Sequence, residues 1–495
     1  MSARRLALFL ALSIAGAAAS PAGAQERTIT SRVVQLFVYS DPPDLTVPWQ
    51  TQGIEPYGGS GVIIGGNRVL TNAHVVESAV GIEVKRADGS ERFPATVKFI
   101  SHDADLALVE VEDERFFKNT EPVPIGDMPK LQQQVVVYGF PIGGATLSIT
   151  SGIVSRVEVD YYLQSYRALL SVQIDAAINE GNSGGPVMTD GEIAGIAMQG
   201  MDDADNVGYM IPSPVIRHFL EDVGDGRYDG FPRLGIDVQD MESAAQRHAA
   251  RMGPSQTGAL VTRVDYGGPS YGVLKPRDVL LGIDGKAIAN DLTVLWPGIG
   301  RVDYSLTYQS KQIGDTIAAT LLRDGKKLKK TIKLTPHIPL VPGRRSTEWP
   351  RYLQFGGLVF QPLTKELIDH PEAVYPDSLS YARVNNLVTR ERREIIVIGQ
   401  VLPHLVNRGY QEWGGETVRL VNGVVPRDLR HLASIVDNAR GKWLRVVTGH
   451  GEVITLDRDA ARRANPEILD DYGIAEDRYL GPGASPSQGR RKRRR

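Results

Sequence analysis

The run Asn179-Glu180-Gly181-Asn182-Ser183-Gly184-Gly185-Pro186 puts one hydroxyl in a segment too rich in glycine for a helix or a regular strand. A serine on such a tight turn suits acyl transfer. The hydroxyl can approach a carbonyl, and backbone N–H groups beside it can meet the oxyanion that forms. Here those donors would be the amides of Gly181 and Ser183, and a side chain at 181 would resist the twist that turns its N–H inward. A serine hydroxyl is a weak nucleophile without a base, and the base needs an orienting group. Upstream, Val69-Leu70-Thr71-Asn72-Ala73-His74-Val75-Val76 holds a histidine among small and apolar neighbours. Asp103-Ala104-Asp105-Leu106-Ala107-Leu108-Val109-Glu110-Val111 opens a strand-like run with carboxylates. Taken singly, each has a bland reading: a glycine-rich surface turn, a structural histidine, a strand-end cap.

Their chain order, His then Asp then Ser, is that of the chymotrypsin-type triad and not of subtilisin or the α/β-hydrolases. The runs TNAHVV, DADLALVEV, QIDAAINEGNSGGP and VGYMIP resemble the HtrA/Deg family of trypsin-fold serine proteases. YGFPIGG, SGIVSRVEV and GYMIP are similar to its plant Deg type, which carries two PDZ modules. The resemblance extends from about Ser31 through the second C-terminal module. It implies His74 as general base, Asp105 as its orienter and Ser183 as nucleophile. It also implies ATP-independent cleavage of unfolded or damaged proteins and a homo-oligomer, a trimer or a multiple of one. Glu180 departs from the family pattern, which has Pro or Ser there, and its charge lies next to the oxyanion turn.

The elements that must position these residues read as mainly β. From Val33 to Leu220, short β-type runs alternate with Gly, Asn, Asp and Pro turns, which indicates barrels or sandwiches. The resemblance makes this a chymotrypsin/trypsin-like double β-barrel with the site in the cleft, followed by two PDZ-like α+β modules. The resemblance places the pocket base at Ala177, with Ile178 beside it, and its wall at Ile196, Ala197 and Met198. With no acidic residue at the base, a small or medium aliphatic side chain before the scissile bond is expected. Pro212–Asp225 carries one apolar stripe, Val215, Ile216, Phe219 and Leu220, and reads as a helix closing the protease domain. In the first module, Leu234, Gly235 and Ile236 form the loop whose amides would hold the carboxylate of a C-terminal peptide added as a strand. The expected domains are a signal peptide 1–24, a protease domain 25–228, PDZ modules at 229–338 and 339–460, and a C-terminal helix with a disordered basic tail over 461–495.

Composition bounds the rest. The 495 residues suit about three domains. With no cysteine there is neither disulfide nor thiolate chemistry. Nine histidines show no ligand spacing such as HExxH, so neither metal nor cofactor is expected. Arg4 and Arg5, the apolar run Leu6–Ala19 and Ala22-Gly23-Ala24 read as a signal peptide cleaved after Ala24. That points to export, to the periplasm of a Gram-negative cell. A net charge of −2 gives no expectation of specific nucleic-acid binding. The six cations Arg490–Arg495 could contact an anionic surface or stay solvated. Two readings of other classes stand beside the protease: a holdase with a silent triad, and a tail-directed surface-binding protein.

Overall fold

The computed structural model describes residues 29–141, 146–200, 208–343, 349–370 and 388–482. The expected signal peptide, its cleavage site and the basic tail lie outside the described residues, as do residues 371–387 of the second module. Among the described residues, no helix is long and apolar enough to cross a membrane.

Six strands form the first barrel: β1 (Val33–Ser40), β2 (Glu55–Ile64), β3 (Arg68–Thr71), β4 (Ala79–Arg86), β5 (Phe93–Ser101) and β6 (Leu106–Val111). They close in the order β1-β2-β3-β6-β5-β4. The second barrel uses β7 (Gln134–Gly139), β8 (Ser148–Tyr162), β9 (Arg167–Ile174), β10 (Pro186–Thr189), β11 (Glu192–Gly200) and β12 (Gly208–Pro212), closed as β10-β11-β12-β9-β8-β7. Closure removes the unpaired edges that short β-branched strands would otherwise expose. Each interior is filled from within: Val34, Leu36, Val69, Val84 and Val109 in the first barrel, Val137, Val172, Ile174 and Val187 in the second.

The register of β3 against β6 brings the first two catalytic candidates together. Leu70 pairs with Leu108 and Thr71 with Ala107. The chain leaving β3 therefore passes Asp105, just before β6, as it turns into the one-turn helix α1 (Ala73–Val76) that carries His74. The expected closing helix is α2 (Ser213–Asp222), followed by a 3₁₀ turn and Gly226 at φ 88°, a left-handed position that glycine takes without strain. Val215, Ile216 and Phe219 are buried and α2 packs on β11 and β12. Each of these side chains contributes roughly 1.5–3 kcal/mol relative to exposure.

The first C-terminal module is a sheet of Ile236–Gln239, Ala259–Val264, Val279–Ile283, Thr316–Arg323 and Lys326–Lys333 in that order. Its core is continuous with the residues under α2. Gln309 donates to the Ala168 carbonyl on β9 (2.9 Å), and the His218 ring bonds the Lys311 carbonyl (2.8 Å). The second module has its own core. Its four-stranded sheet runs Ile396–Val401, Leu358–Pro362, Tyr352–Phe355, Arg478–Tyr479. Strands and helix therefore continue past the expected boundary at 460. A helix over Arg458–Asp471, capped by the Asp457 side chain, packs against this sheet, and Tyr479 pairs with Tyr352. The buried strand Tyr352–Phe355 lies along one edge of Leu358–Pro362, so that edge is already paired within the chain.

Candidate active site

Asp105 is 1% exposed and sits at φ 51°, a left-handed conformation that costs a non-glycine residue free energy. Its surroundings hold it there. The Asn72 side-chain amide donates to the Asp105 carbonyl (2.9 Å). One carboxylate oxygen accepts the His74 backbone N–H (2.9 Å), and the other meets His74 Nδ1 at 2.7 Å. Since an ionised carboxylate can only accept, Nδ1 is the donor of this bond. Two phenols lie within the field of this carboxylate. Burial, with a smaller contribution from Asp105, pushes Tyr162 well up. Burial, then Glu180 and Asp105, raises Tyr57 on β2.

The Ser183 turn is built by close approach. Gly181 has φ 91° and Gly184 φ 84°. A Cβ on Gly184 would stand 2.1 Å from the Ser60 carbonyl oxygen and 2.2 Å from Thr71 Oγ1, both first-barrel atoms. One on Gly185 would meet the Tyr138 carbonyl oxygen at 2.0 Å. Ser60 clasps the turn: its N–H donates to the Ser183 carbonyl (2.9 Å), and its hydroxyl donates to the Gly181 carbonyl (2.7 Å) while accepting the Phe140 N–H (2.8 Å). The Ser183 hydroxyl donates to the Met198 carbonyl at 3.1 Å. Among the described residues, neither the Gly181 nor the Ser183 amide is used in a backbone hydrogen bond. Glu180 is exposed at the edge of the turn.

The expected pocket residues are divided between two faces. Ile178 and Ala197 pack with the cluster inside the second barrel, where Ile178 also covers Gly208. Ala177 is half-buried, and its carbonyl accepts from the Thr150 hydroxyl. Strand alternation turns Ile196 and Met198 the other way, into the cluster under α2, and both are 2% exposed or less. The structure thus brings Ile178 and Ala197 into one cluster and places Ile196 and Met198 in another. Met198 instead contributes its carbonyl to Ser183.

In the first module Leu234 is buried and Gly235 has φ 63° against His337, whose Nε2 is hydrogen-bonded to Asp265 (2.7 Å). The Leu234 and Gly235 carbonyls accept from the Ser270 and Asp265 amides, and Ile236 begins the edge strand. Among the described residues, Glu416, His450 and Glu452 lie close enough to share an ion. This is a surface cluster of the second module in which the Glu416 carboxylate raises the His450 imidazole.

Sequence reasoning missed Ser60, Thr71 and Asn72, although the last two stand in the histidine run. Ser60, in Gly58-Gly59-Ser60-Gly61, carries only the weak signal of a polar residue between glycines at a strand centre.

A closed pair of barrels, with a buried Asp105 bonded to His74 and a glycine-walled serine turn packed on the first barrel, is the architecture of a trypsin-fold serine endopeptidase. Residues 59–196 match the trypsin-like peptidase domain and residues 341–479 the PDZ domain. The chain is 37% identical over 465 residues to Protease Do-like 2, chloroplastic, of Arabidopsis thaliana, covering 92% of this chain and 76% of that protein. It is 36% identical over 443 residues to Protease Do-like 4, mitochondrial, of the same plant, covering 89% and 83%. The fold is shared with the solved HtrA-type protease AlgW with decapeptide, at a TM-score of 0.50 and 22% identity, over 64% of this chain and 99% of that one. The chain belongs to the HtrA/Deg (Protease Do-like) family of serine proteases.

Proposed function

We propose that this endopeptidase is exported and cleaves unfolded or damaged proteins without ATP, through His74, Asp105 and Ser183. The observation that carries the reading is the 2.7 Å contact between buried Asp105 and His74 Nδ1, on the turn facing the Ser183 loop. Asp105 holds the imidazole with Nε2 as acceptor. The Ser183 proton leaves the Met198 carbonyl for Nε2 as Oγ attacks the peptide carbonyl. The Gly181 and Ser183 amides receive the oxyanion, and His74 then protonates the leaving amine. Water, activated by the same imidazole, releases the acyl group. Because every step uses the triad and water, hydrolysis needs no nucleotide.

The first module binds a C-terminal peptide as a strand added to Ile236–Gln239, with its carboxylate on the Leu234–Ile236 amides. In the second module the corresponding edge holds Tyr352–Phe355, which supports a role in assembly, and the active form is a homo-oligomer. The leading segment directs the chain to the periplasm. The test is degradation of casein by residues 25–495 without ATP, beside Ser183→Ala, with and without C-terminal peptides. Cleavage by the parent alone, faster with peptide, is the expected result. Equal cleavage by the variant would remove Ser183 from the mechanism, and indifference to peptide would remove the first module from its control.

A further inference from the structure

The turn that carries Asp105 is secured from outside its own barrel. Within the turn, the Ala104 amide donates to Ser101 Oγ (3.2 Å) and the Asp105 amide reaches the His102 carbonyl at 3.4 Å. Asn72 of the same barrel holds the Asp105 carbonyl, and further support comes from outside that barrel. Ser165, between β8 and β9, donates its hydroxyl to the Asp103 carbonyl (2.9 Å). Ser101 Oγ bonds the Tyr228 hydroxyl (2.6 Å), which stands on the segment leaving α2. Arg167, the first residue of β9, is only 4% exposed. Its Nε faces the Asp103 carboxylate at 3.5 Å, and its Nη2 donates to the carbonyls of Phe231 (2.9 Å) and Pro232 (3.2 Å). One buried guanidinium therefore joins the Asp105 turn of the first barrel, the second barrel and the strap that leads to Leu234 of the first module.

We propose that Arg167 is a positioning residue for the triad: it holds the Asp103–Asp105 turn so that Asp105 keeps both bonds to His74, and it ties that turn to the strap entering the first module. The proposal rests on Asp105 being the orienting carboxylate. A buried guanidinium must keep its partners, because leaving it unpaired in the interior is costly. Its planar fork reaches in several directions at once, which a single ammonium cannot do. A shift of the strap at Phe231–Pro232 therefore pulls on Asp103, two residues from Asp105. Arg233, half-buried on the same strap, has its guanidinium pushed down to about 10 by desolvation and then by the like charge of Arg167. Through the bonds of Arg167 to Phe231 and Pro232, the strap can transmit the state of the first module to the Asp103–Asp105 turn.

The experiment uses the mature full-length chain and two readouts of the active site. One is the rate at which a fluorophosphonate labels Ser183. The other is the low-field resonance of the His74 Nδ1 proton shared with Asp105. Arg167→Ala is expected to slow labelling by about tenfold or more, as a small misplacement of a catalytic group does. It should also weaken the low-field resonance, while KM for a peptide substrate stays within about twofold. Arg167→Lys should not restore the labelling rate. Asp103→Asn should act in the same direction, and the double variant should be no slower than the slower single one. Arg167→Ala that lowers only the melting temperature, with labelling and resonance as in the parent, overturns the proposal. If that variant does not fold, Asp103→Asn decides alone, since it leaves the bonds from Arg167 to the strap. A parent whose Ser183 is not labelled removes the triad assignment and this role with it. A labelled parent with unaffected variants removes only the role of Arg167.

Discussion

The two turns that meet in the cleft are stabilised in opposite ways. The Ser183 turn has almost no side chains of its own to hold it, and its shape comes from exclusion. Glycines at 184 and 185 let the chain lie against Ser60, Thr71 and Tyr138 where a single Cβ would collide. The Asp105 turn is a strained residue at φ 51° kept in place by side-chain bonds from Asn72 and Ser165, an ion contact from Arg167 to Asp103, and Ser101, which is itself bonded to Tyr228. Each turn also leans on the opposite barrel: Ser183 on Ser60 and Thr71 of the first, Asp105 on Ser165 and Arg167 of the second. Each turn of the candidate site is therefore held in part by the barrel it does not belong to.

Substitutions can break that contrast, the most damaging first. Asp105→Asn should lower kcat by about 10⁴-fold with little change in fold, because the amide favours the wrong imidazole tautomer. Peptide hydrolysis beside thermal unfolding checks this, and an active variant would take Asp105 out of the site. Gly184→Ala should destabilise the protein by roughly 2–5 kcal/mol and abolish labelling of Ser183, through overpacking and a strained φ together. A variant as stable and reactive as the parent in denaturant titrations would mean that the turn is not shaped by Ser60 and Thr71. Ser60→Ala removes one donor and one acceptor in the buried clasp and should cost roughly 1–3 kcal/mol, with slower acylation. Loss of stability without slower acylation would separate the clasp from catalysis. Glu180→Gln should change stability by less than about 0.5 kcal/mol, since Glu180 is exposed. Tyr57, raised first by burial and then by Glu180, should titrate at lower pH in that variant. Absorbance against a Tyr57→Phe control measures it, and no change would place Glu180 away from the cleft.

Much of this was legible in the chain. The reagents of acyl transfer lie in short runs where residue type and neighbours are enough: a histidine after Thr71-Asn72-Ala73, a carboxylate opening β6, a serine among glycines. The apolar runs of the barrels showed because strands of period two carry their burial pattern locally. Which residues of the run 196–198 look into the barrel was not legible, because adjacent strand residues face opposite ways. Strands Tyr352–Phe355 and Arg478–Tyr479 also escaped, since their partners are set by the second module's sheet.

Residue identity therefore determined which chemistry this protein could do and in which order along the chain its reagents stand. It also determined where glycine permits a close approach. Tertiary structure decided what each turn leans on. The Ser60 hydroxyl and the Gly181 carbonyl are 121 positions apart, and Arg167 and the Phe231 carbonyl 64. Such bonds leave no local trace because a polar side chain has the same propensities whether it ends in water or on a distant carbonyl. Only closure of two barrels on one another removes the water and leaves a single partner within reach.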